Sequence, residues 1–369
     1  MYEDDWPPDS QDGPKETFLD ICSADSNLSE DPFPEDLWEI DTRLDPFHGN
    51  NRRRAYSQGL MWLGHALWLP TSFDLSGLIT RIKEEGSDWC YRPPIWATDG
   101  SRVILEPIPE LKRIQRRVNR LLERQFRTPK DVFGFSGGSC LDVAQRHRQG
   151  GSTMCFDLRH AFFTVSRDMV YKALQSEKKQ YGFSKTVAEM ISLLCTYSPA
   201  TLDLKAKFWC GNTFLPQGAP SSPRLFDISL HRLDRKLRRL ATRVNGRVSR
   251  FADNYYFSVP ADEFSPRLQK AIICEVHIKG FYAHKVRVAN RGEMCRILGY
   301  NVADTAITTT RDFRRKLRGQ LYMLESLIDR CDAYEDALCR VNGMMAWAQN
   351  LPQPLLDAHA RCLHKILNP

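Results

Sequence analysis

Apolar residues recur at helical spacing through Leu111, Ile114, Val118, Leu121 and Leu122, and Lys112, Arg113, Arg116, Arg117 and Arg120 lie between them. This pattern predicts an amphipathic helix with a densely basic outer face. Immediately before it, Arg102-Val-Ile-Leu-Glu-Pro-Ile-Pro mixes β-branched residues with proline and predicts an extended segment. A glycine-rich loop is expected from Gly134 to Ser139. Met154-Cys-Phe-Asp157-Leu then predicts a short buried strand, with Ala161 to Leu174 as the helix after it. Further on, Arg247 to Val259 predicts two strands closed by a tight turn at Asp253-Asn254, a dipeptide suited to such turns. Beyond residue 310 the spacing is helical, and no internal repeat stands out.

Charge changes this picture more than composition does. The 369 residues include 52 Lys and Arg against 45 Asp and Glu, but the two signs are segregated. Residues 1–50 hold 15 acids against Lys15 and Arg43, a net of −13, so residues 51–369 carry a net of +20. The acidic segment is also rich in proline (Pro7, Pro8, Pro14, Pro32, Pro34, Pro46). It buries too little apolar surface to offset chain entropy by itself and is expected to be flexible. A body this basic points to a polyanionic partner, nucleic acid first, because Lys and Arg release condensed counterions from phosphates. Eleven cysteines without a CxxC pair argue against a zinc site or a disulfide framework and read as reduced thiols. The acidic start is unlike a secretory signal, and the apolar run Gly59 to Pro70 is too short to span a bilayer. A cytoplasmic location with no membrane partner is therefore expected.

Asp157 ends the predicted strand and Asp253 lies at the predicted hairpin tip, so an antiparallel sheet would bring both carboxylates to one edge. Two such carboxylates can hold a pair of Mg²⁺ ions, one activating an attacking hydroxyl and the other stabilising a leaving pyrophosphate. Acids at strand ends are also common in proteins that do no chemistry, and spacing alone leaves both readings open.

The wider series of blocks resembles the palm of reverse transcriptases. Phe156-Asp157-Leu158-Arg159-His160-Ala161-Phe162 is similar to that family's first catalytic motif. Leu215-Pro216-Gln217-Gly218-Ala219-Pro220-Ser221-Ser222-Pro223 resembles its LPQGxPxSP loop, and Phe251-Ala252-Asp253-Asn254 stands where the family usually has Tyr-x-Asp-Asp. His284-Lys285 and Ile297-Leu298-Gly299-Tyr300 resemble the triphosphate-lysine motif and the primer grip. The blocks keep the family's order over roughly residues 90–310. The resemblance implies an α+β, right-hand polymerase fold. An acidic N-terminal extension (1–50) would precede fingers (51–150), a palm whose antiparallel sheet packs on helices (151–310, with a finger-like insertion at about 175–214) and a helical thumb (311–369).

It also implies roles. Asp157, Asp253 and Lys285 would be catalytic, and Asp157, Leu158, Asp253 and Asn254 would hold two Mg²⁺ ions, with Mn²⁺ as an alternative. Arg102, Lys112, Arg159, His160, Ala161, Phe162, Gln217 and Gly218 would bind dNTP, Phe162 acting as a steric gate against a ribose 2′-OH. Leu298, Gly299 and Tyr300 would form the primer grip, and Arg314, Arg315 and Arg318 would track a nucleic-acid backbone. The partners implied are a noncoding RNA template, the RNA–DNA duplex and dNTPs, with an effector or second defence subunit and a homo-oligomer as further classes. Within the family, the chain looks most like retron and retron-like bacterial enzymes of abortive infection and antiphage defence.

Some positions depart from the pattern. Asn254 replaces the second acid of the usual pair, His160 follows Asp157 where an acidic or small residue is frequent, and Val143-Ala144-Gln145-Arg146-His147 stands for the retron Asn-Ala-x-x-His element. Two alternatives to RNA-templated synthesis follow. One is untemplated or protein-primed DNA synthesis, with Tyr2, Tyr255 or Tyr256 as the primer; the other is a catalytically silent RNA-binding scaffold. The −13 segment is expected to compete with nucleic acid for the +20 body. Deleting residues 1–50 should then tighten RNA binding, most strongly at low salt, where screening is weak; equal affinities of the two proteins in a salt titration would remove this idea.

Overall fold

The computed structural model describes residues 52–97, 102–135, 137–148, 151–175, 182–198, 212–303, 306–326, 331–348 and 353–367. The acidic segment 1–50 and residues 176–181 and 199–211 of the insertion expected at about 175–214 lie outside them. Helices α1 (Arg52–Ala66) and α2 (Leu75–Glu85) come first. Asp74 caps α2, its carboxylate accepting from the Gly77 N–H at 2.8 Å. Strands β1 (Ile95–Trp96) and β2 (Val103–Ile104) pair as an antiparallel ribbon, which is the predicted extended segment. Helix α3 (Pro109–Gln125) starts on a proline and buries Leu111, Ile114, Val118, Leu121 and Leu122, as the periodicity predicts. Each such side chain contributes roughly 1.5–3 kcal/mol by leaving water. Arg113, Arg116 and Arg120 remain exposed on the outer face.

After β3 (Val132–Phe133), α4 (Cys140–His147) and β4 (Ser152–Leu158), the chain forms α5 (Ala161–Thr164), α6 (Arg167–Leu174), α7 (Lys185–Cys195) and α8 (Ser222–Arg243). Then come β5 (Arg247–Phe251), β6 (Asn254–Val259), α9 (Pro266–Ile278) and β7 (Ala283–Ala289). One five-stranded sheet of order β3-β5-β6-β4-β7 results, antiparallel except where β3 meets β5. The α+β class is as expected, and β3, which precedes residue 150, hydrogen-bonds into this sheet. Alternation along the strands divides the core. Met154, Phe156, Leu158, Tyr255 and Phe257 join the large cluster that includes α8, whereas Cys155, Tyr256 and Phe251 meet α4 on the other face.

Two local expectations need correction. The segment Ala161–Leu174 is two helices, not one: Val165 and Ser166 leave the helix, Ser166 caps α6 through Met169, and the Leu215 N–H takes the Phe162 and Val165 carbonyls instead. The hairpin turn is Ala252-Asp253, not Asp253-Asn254. Phe251 pairs with Asn254, which already belongs to β6, and Ala252 takes the left-handed conformation at φ 52°.

A second sheet of β8 (Cys295–Ile297), β9 (Tyr300–Val302) and β10 (Ile307–Thr309) leads into α10 (Arg311–Ser326), α11 (Cys331–Trp347) and α12 (Gln353–Leu367). These last helices pack around Leu317, Leu321, Leu324, Ala337, Val341 and Leu355, and so confirm the helical reading beyond residue 310. Cys155 and Cys295 are free thiols with sulfurs 3.5 Å apart, but Cys274 is disulfide-bonded, contrary to the expectation of reduced thiols throughout. No helix among the described residues is long and apolar enough to cross a membrane.

His147 at the end of α4 is buried, and its Nδ1 shares a 2.6 Å hydrogen bond with Ser258, which in turn bonds Thr153 at 2.8 Å. Burial first, then the nearby Arg146 and Arg247, push its pKa down from 6.5 to about 3. The unfolded chain therefore binds a proton that the fold refuses, so this contribution to stability is present above pH 6.5 and is lost as pH falls toward 3. Between roughly pH 7.5 and pH 5 the wild type should lose about 2 kcal/mol of unfolding free energy that His147→Gln does not. Urea denaturation of both proteins at the two pH values checks this; parallel losses would refute it.

Candidate active site

The ladder around β4 assembles the site. Asp157 lies opposite Asn254 on β6, and the Leu158 N–H donates to the Asp253 carbonyl at 3.0 Å, so the two expected carboxylates come from β4 and from the β5–β6 turn beside it. On its other side β4 meets β7, where Asp157 pairs with His284. Between the Cys155–Arg287 and Asp157–His284 pairs, β7 has one more residue than β4, and within this bulge Lys285 takes φ 50°. The bulge directs the Lys285 charge toward Asp157, where it favours the ionised carboxylate.

Burial and the neighbouring Asp253 together raise the Asp157 pKa from 3.8 to about 6, against Lys285 and the Leu158 N–H, which lower it. Burial also raises Asp253, offset by its own backbone N–H, Arg102, the Asn254 amide and Arg250. Arg102, at the end of the β1–β2 ribbon, is thus near enough for its charge to act on Asp253. Asp157 Oδ1 is buried with no hydrogen-bond partner, which suits a carboxylate that accepts a cation. Asn254 turns its amide nitrogen to Asp253 Oδ1 at 3.0 Å, which leaves its carbonyl oxygen as the atom able to face a metal. Leu158 is buried, so it can contribute only backbone. No cluster of three or more His, Cys, Asp or Glu side chains suited to a metal occurs among the described residues. Two carboxylates, an amide oxygen and an orphaned buried acceptor nevertheless fit a hard divalent cation.

The residues expected to bind nucleotide are held by packing and backbone bonds of their own. Phe162 stacks on Phe226 at 4.8 Å and meets Phe135 edge-on at 5.7 Å, so three rings fix the expected gate. The loop around Gln217 is held from two sides: the Leu215 N–H bonds Phe162 and Val165, and the Gln217 carbonyl accepts from Leu105 at 2.7 Å. Gly218 has φ 107°, and a Cβ there would lie 2.8 Å from Ile104 and 3.1 Å from the Leu105 carbonyl. Only glycine permits this approach. Arg159 is exposed, His160 is left-handed at φ 47° and precedes α5, and Ala161 is buried. Lys112 already has a partner. Its ammonium pairs with Glu106 at 2.6 Å, and Arg92 meets the same carboxylate at 3.2 Å.

Leu298 and Gly299, both with positive φ, form the turn between β8 and β9. Tyr300 is buried rather than presented: its hydroxyl donates to the Trp347 carbonyl at 2.5 Å and its ring stacks on Trp347 at 4.6 Å. Arg315 and Arg318 are exposed on α10, and Arg314 and Arg318 line a groove of about 300 Å³ with Tyr322 and Arg361. Tyr255 and Tyr256 are buried at 1% and 4%, which removes both as protein primers; Tyr2 lies outside the described residues. The sequence reading missed Arg250, Asp227 and Asp234, which lie behind the Asp253 turn. The seven-residue spacing of the two acids along one face of α8 was the available signal.

This constellation lies on a chain that belongs to the reverse transcriptase (RNA-dependent DNA polymerase) family, whose model matches residues 92–302. Within that family the chain is similar to named retron enzymes. It is 28% identical to the retron Mx162 reverse transcriptase of Myxococcus xanthus over 77% of this chain and 64% of the relative. It is 28% identical to the retron Mx65 enzyme of the same organism (71% and 61%) and 26% identical to the Escherichia coli retron Ec83 enzyme (70% and 82%). The chain thus spans under two thirds of the length of the two Myxococcus relatives. The foamy viral protease-reverse transcriptase in complex with an RNA/DNA hybrid overlaps 74% of this chain and 33% of its own at 14% identity and TM-score 0.37, too loose a likeness to argue from.

The raised Asp157 pKa sets a sign for stability. Its charged form is disfavoured in the fold, a cost absent below the ordinary carboxylate range that grows as pH rises through about 6. In EDTA near pH 8, Asp157→Asn should melt higher than wild type, and the gap should close near pH 4. Added Mn²⁺ should stabilise wild type and not the variant. Thermal melts across pH, with and without Mn²⁺, decide this; a variant that melts lower at every pH would overturn the assignment.

Proposed function

We propose that this protein is a cytoplasmic RNA-directed DNA polymerase that copies a dedicated noncoding RNA into DNA as one step of bacterial antiphage defence. The observation that carries the reading is the juxtaposition of Asp157 and Asp253 under the positive charge of Lys285 and Arg102, with Asp157 Oδ1 buried and unpartnered. Similarity to the retron reverse transcriptases supports the RNA-directed polymerase part of this reading.

Asp157 and Asp253, with the Asn254 oxygen, would hold Mg²⁺ or Mn²⁺, which when bound supplies Lewis-acid activation of a primer hydroxyl and charge neutralisation at pyrophosphate. The chain's own groups do the rest. Arg102 and Lys285 place positive charge where the triphosphate would lie, and Lys285 is the group able to pass a proton to the departing pyrophosphate. Gln217 and Gly218 offer backbone to the nucleotide, and the Phe162 ring, held by Phe226, occupies the space a 2′-OH would need. Exposed Arg315 and Arg318 suit the duplex backbone. The proposed divisions are fingers at 51–150, palm at 151–310 and thumb at 311–369.

Incubating the purified protein with Mg²⁺ or Mn²⁺, a primed RNA and each labelled dNTP or NTP tests the reading. Incorporation of dNTP should vanish with RNase and fall at least about 100-fold in Asp157→Ala. Phe162→Ala should reduce discrimination against NTPs by about tenfold or more. RNase-resistant incorporation would replace the reading by untemplated synthesis. No incorporation by protein that still binds RNA would favour the silent scaffold that Asn254 suggests.

A further inference from the structure

Arg250 on β5 is 1% exposed, and each of its three guanidinium nitrogens donates. Nε and Nη2 donate to Asp234 at 2.9 and 3.0 Å, and Nη1 donates both to Asp227 at 2.8 Å and to the Ala252 carbonyl at 2.9 Å. The Tyr255 hydroxyl adds a 2.6 Å bond to Asp234. Desolvating one cation and two carboxylates costs about as much as their attraction returns, and apolar residues of similar volume would serve stability as well. A reason specific to this fork is needed, and its fourth bond supplies one.

That bond ends on Ala252, a non-glycine residue in the left-handed region and the residue before Asp253. The other end of the fork grips α8, the helix that begins at Ser222 directly after the Gln217-Gly218 loop. One side chain therefore ties the turn carrying Asp253 to the helix that follows the nucleotide platform. We propose that Arg250 is a positioning residue: it pins the Ala252-Asp253 turn against α8 and so keeps the Asp253 carboxylate beside Asp157 in the geometry a divalent cation requires. This deepens the polymerase reading and rests on it for the substrate, but cation binding is measurable without nucleotide.

Arg250→Lys keeps the charge but cannot reach Asp227, Asp234 and Ala252 with one planar fork. Titrating the full chain with Mn²⁺, with free metal read by electron paramagnetic resonance, should show affinity about 10–100-fold weaker than wild type. RNA affinity by fluorescence anisotropy should stay within about twofold. Tyr255→Phe removes a bond to Asp234 that does not involve the turn; it should lower the melting temperature and leave Mn²⁺ affinity within about twofold. Wild-type Mn²⁺ affinity in folded Arg250→Lys overturns the proposal, as does an equal loss of affinity in Tyr255→Phe, which would make the cluster a matter of stability alone. If Arg250→Lys does not fold, Asp227→Asn carries the test: weakened Mn²⁺ binding supports the proposal, and unchanged binding overturns it. Wild type that binds Mn²⁺ yet incorporates no dNTP would remove the polymerase reading and leave the Arg250 comparison standing.

Discussion

Strand β4 is hydrogen-bonded on both sides, and its register with β6 and β7 decides where every functional group lies. Because side chains alternate, a slip of one residue would carry Met154, Phe156 and Leu158 out of the large core and bring Cys155 and Asp157 into it. The apolar face of β4 thus enforces the placement of its one acid. The same ladder sets Asp157 against Asn254 and the Leu158 N–H against the Asp253 carbonyl. The extra residue in β7 breaks the ladder only where Lys285 needs a different direction.

Charge around this ladder is arranged in layers. Burial first, and then the neighbouring Asp253 carboxylate on the β5–β6 turn, raise Asp157 well above an ordinary aspartate. Arg102, Lys285 and Arg250 reduce the cost, and Asn254 reduces it further by being neutral where the reverse-transcriptase motif it resembles would place an acid. The substitution trades attraction for metal against repulsion in its absence. An apo site with one fewer charge is easier to keep folded and harder to fill.

Much of this was legible in the sequence. Blocks whose chemistry is local, such as the Gln217-Gly218 loop and the strand ending at Asp157, declared themselves through residue types with few alternatives. Helix α3 was legible because its apolar positions repeat over three turns. What escaped were effects settled by distant partners. The Ala161–Leu174 pattern is helical throughout, but the Leu215 N–H claims carbonyls of Phe162 and Val165 and breaks it. The Asp253-Asn254 dipeptide suits a turn, yet pairing of Asn254 across the sheet moves the turn back by one residue. Lys112 looks like a free basic residue in sequence; only the fold reveals Glu106 beside it. Arg250, Asp227 and Asp234 read as ordinary charged residues until the packing of α8 on β5 buries them together.

The Leu298-Gly299 turn is clamped from outside its own sheet. A Cβ at Gly299 would stand 3.0 Å from the Trp347 ring, and that ring lies between Tyr300 and Phe313, each 4.6 Å away. On its inner side the Leu298 N–H reaches the Tyr256 hydroxyl, two residues along β6 from Asn254. The end of α11, the turn and the central sheet are therefore linked as a rigid lever with an aromatic bearing. A shift of the α11 end would pass through that bearing to the sheet that carries the acids.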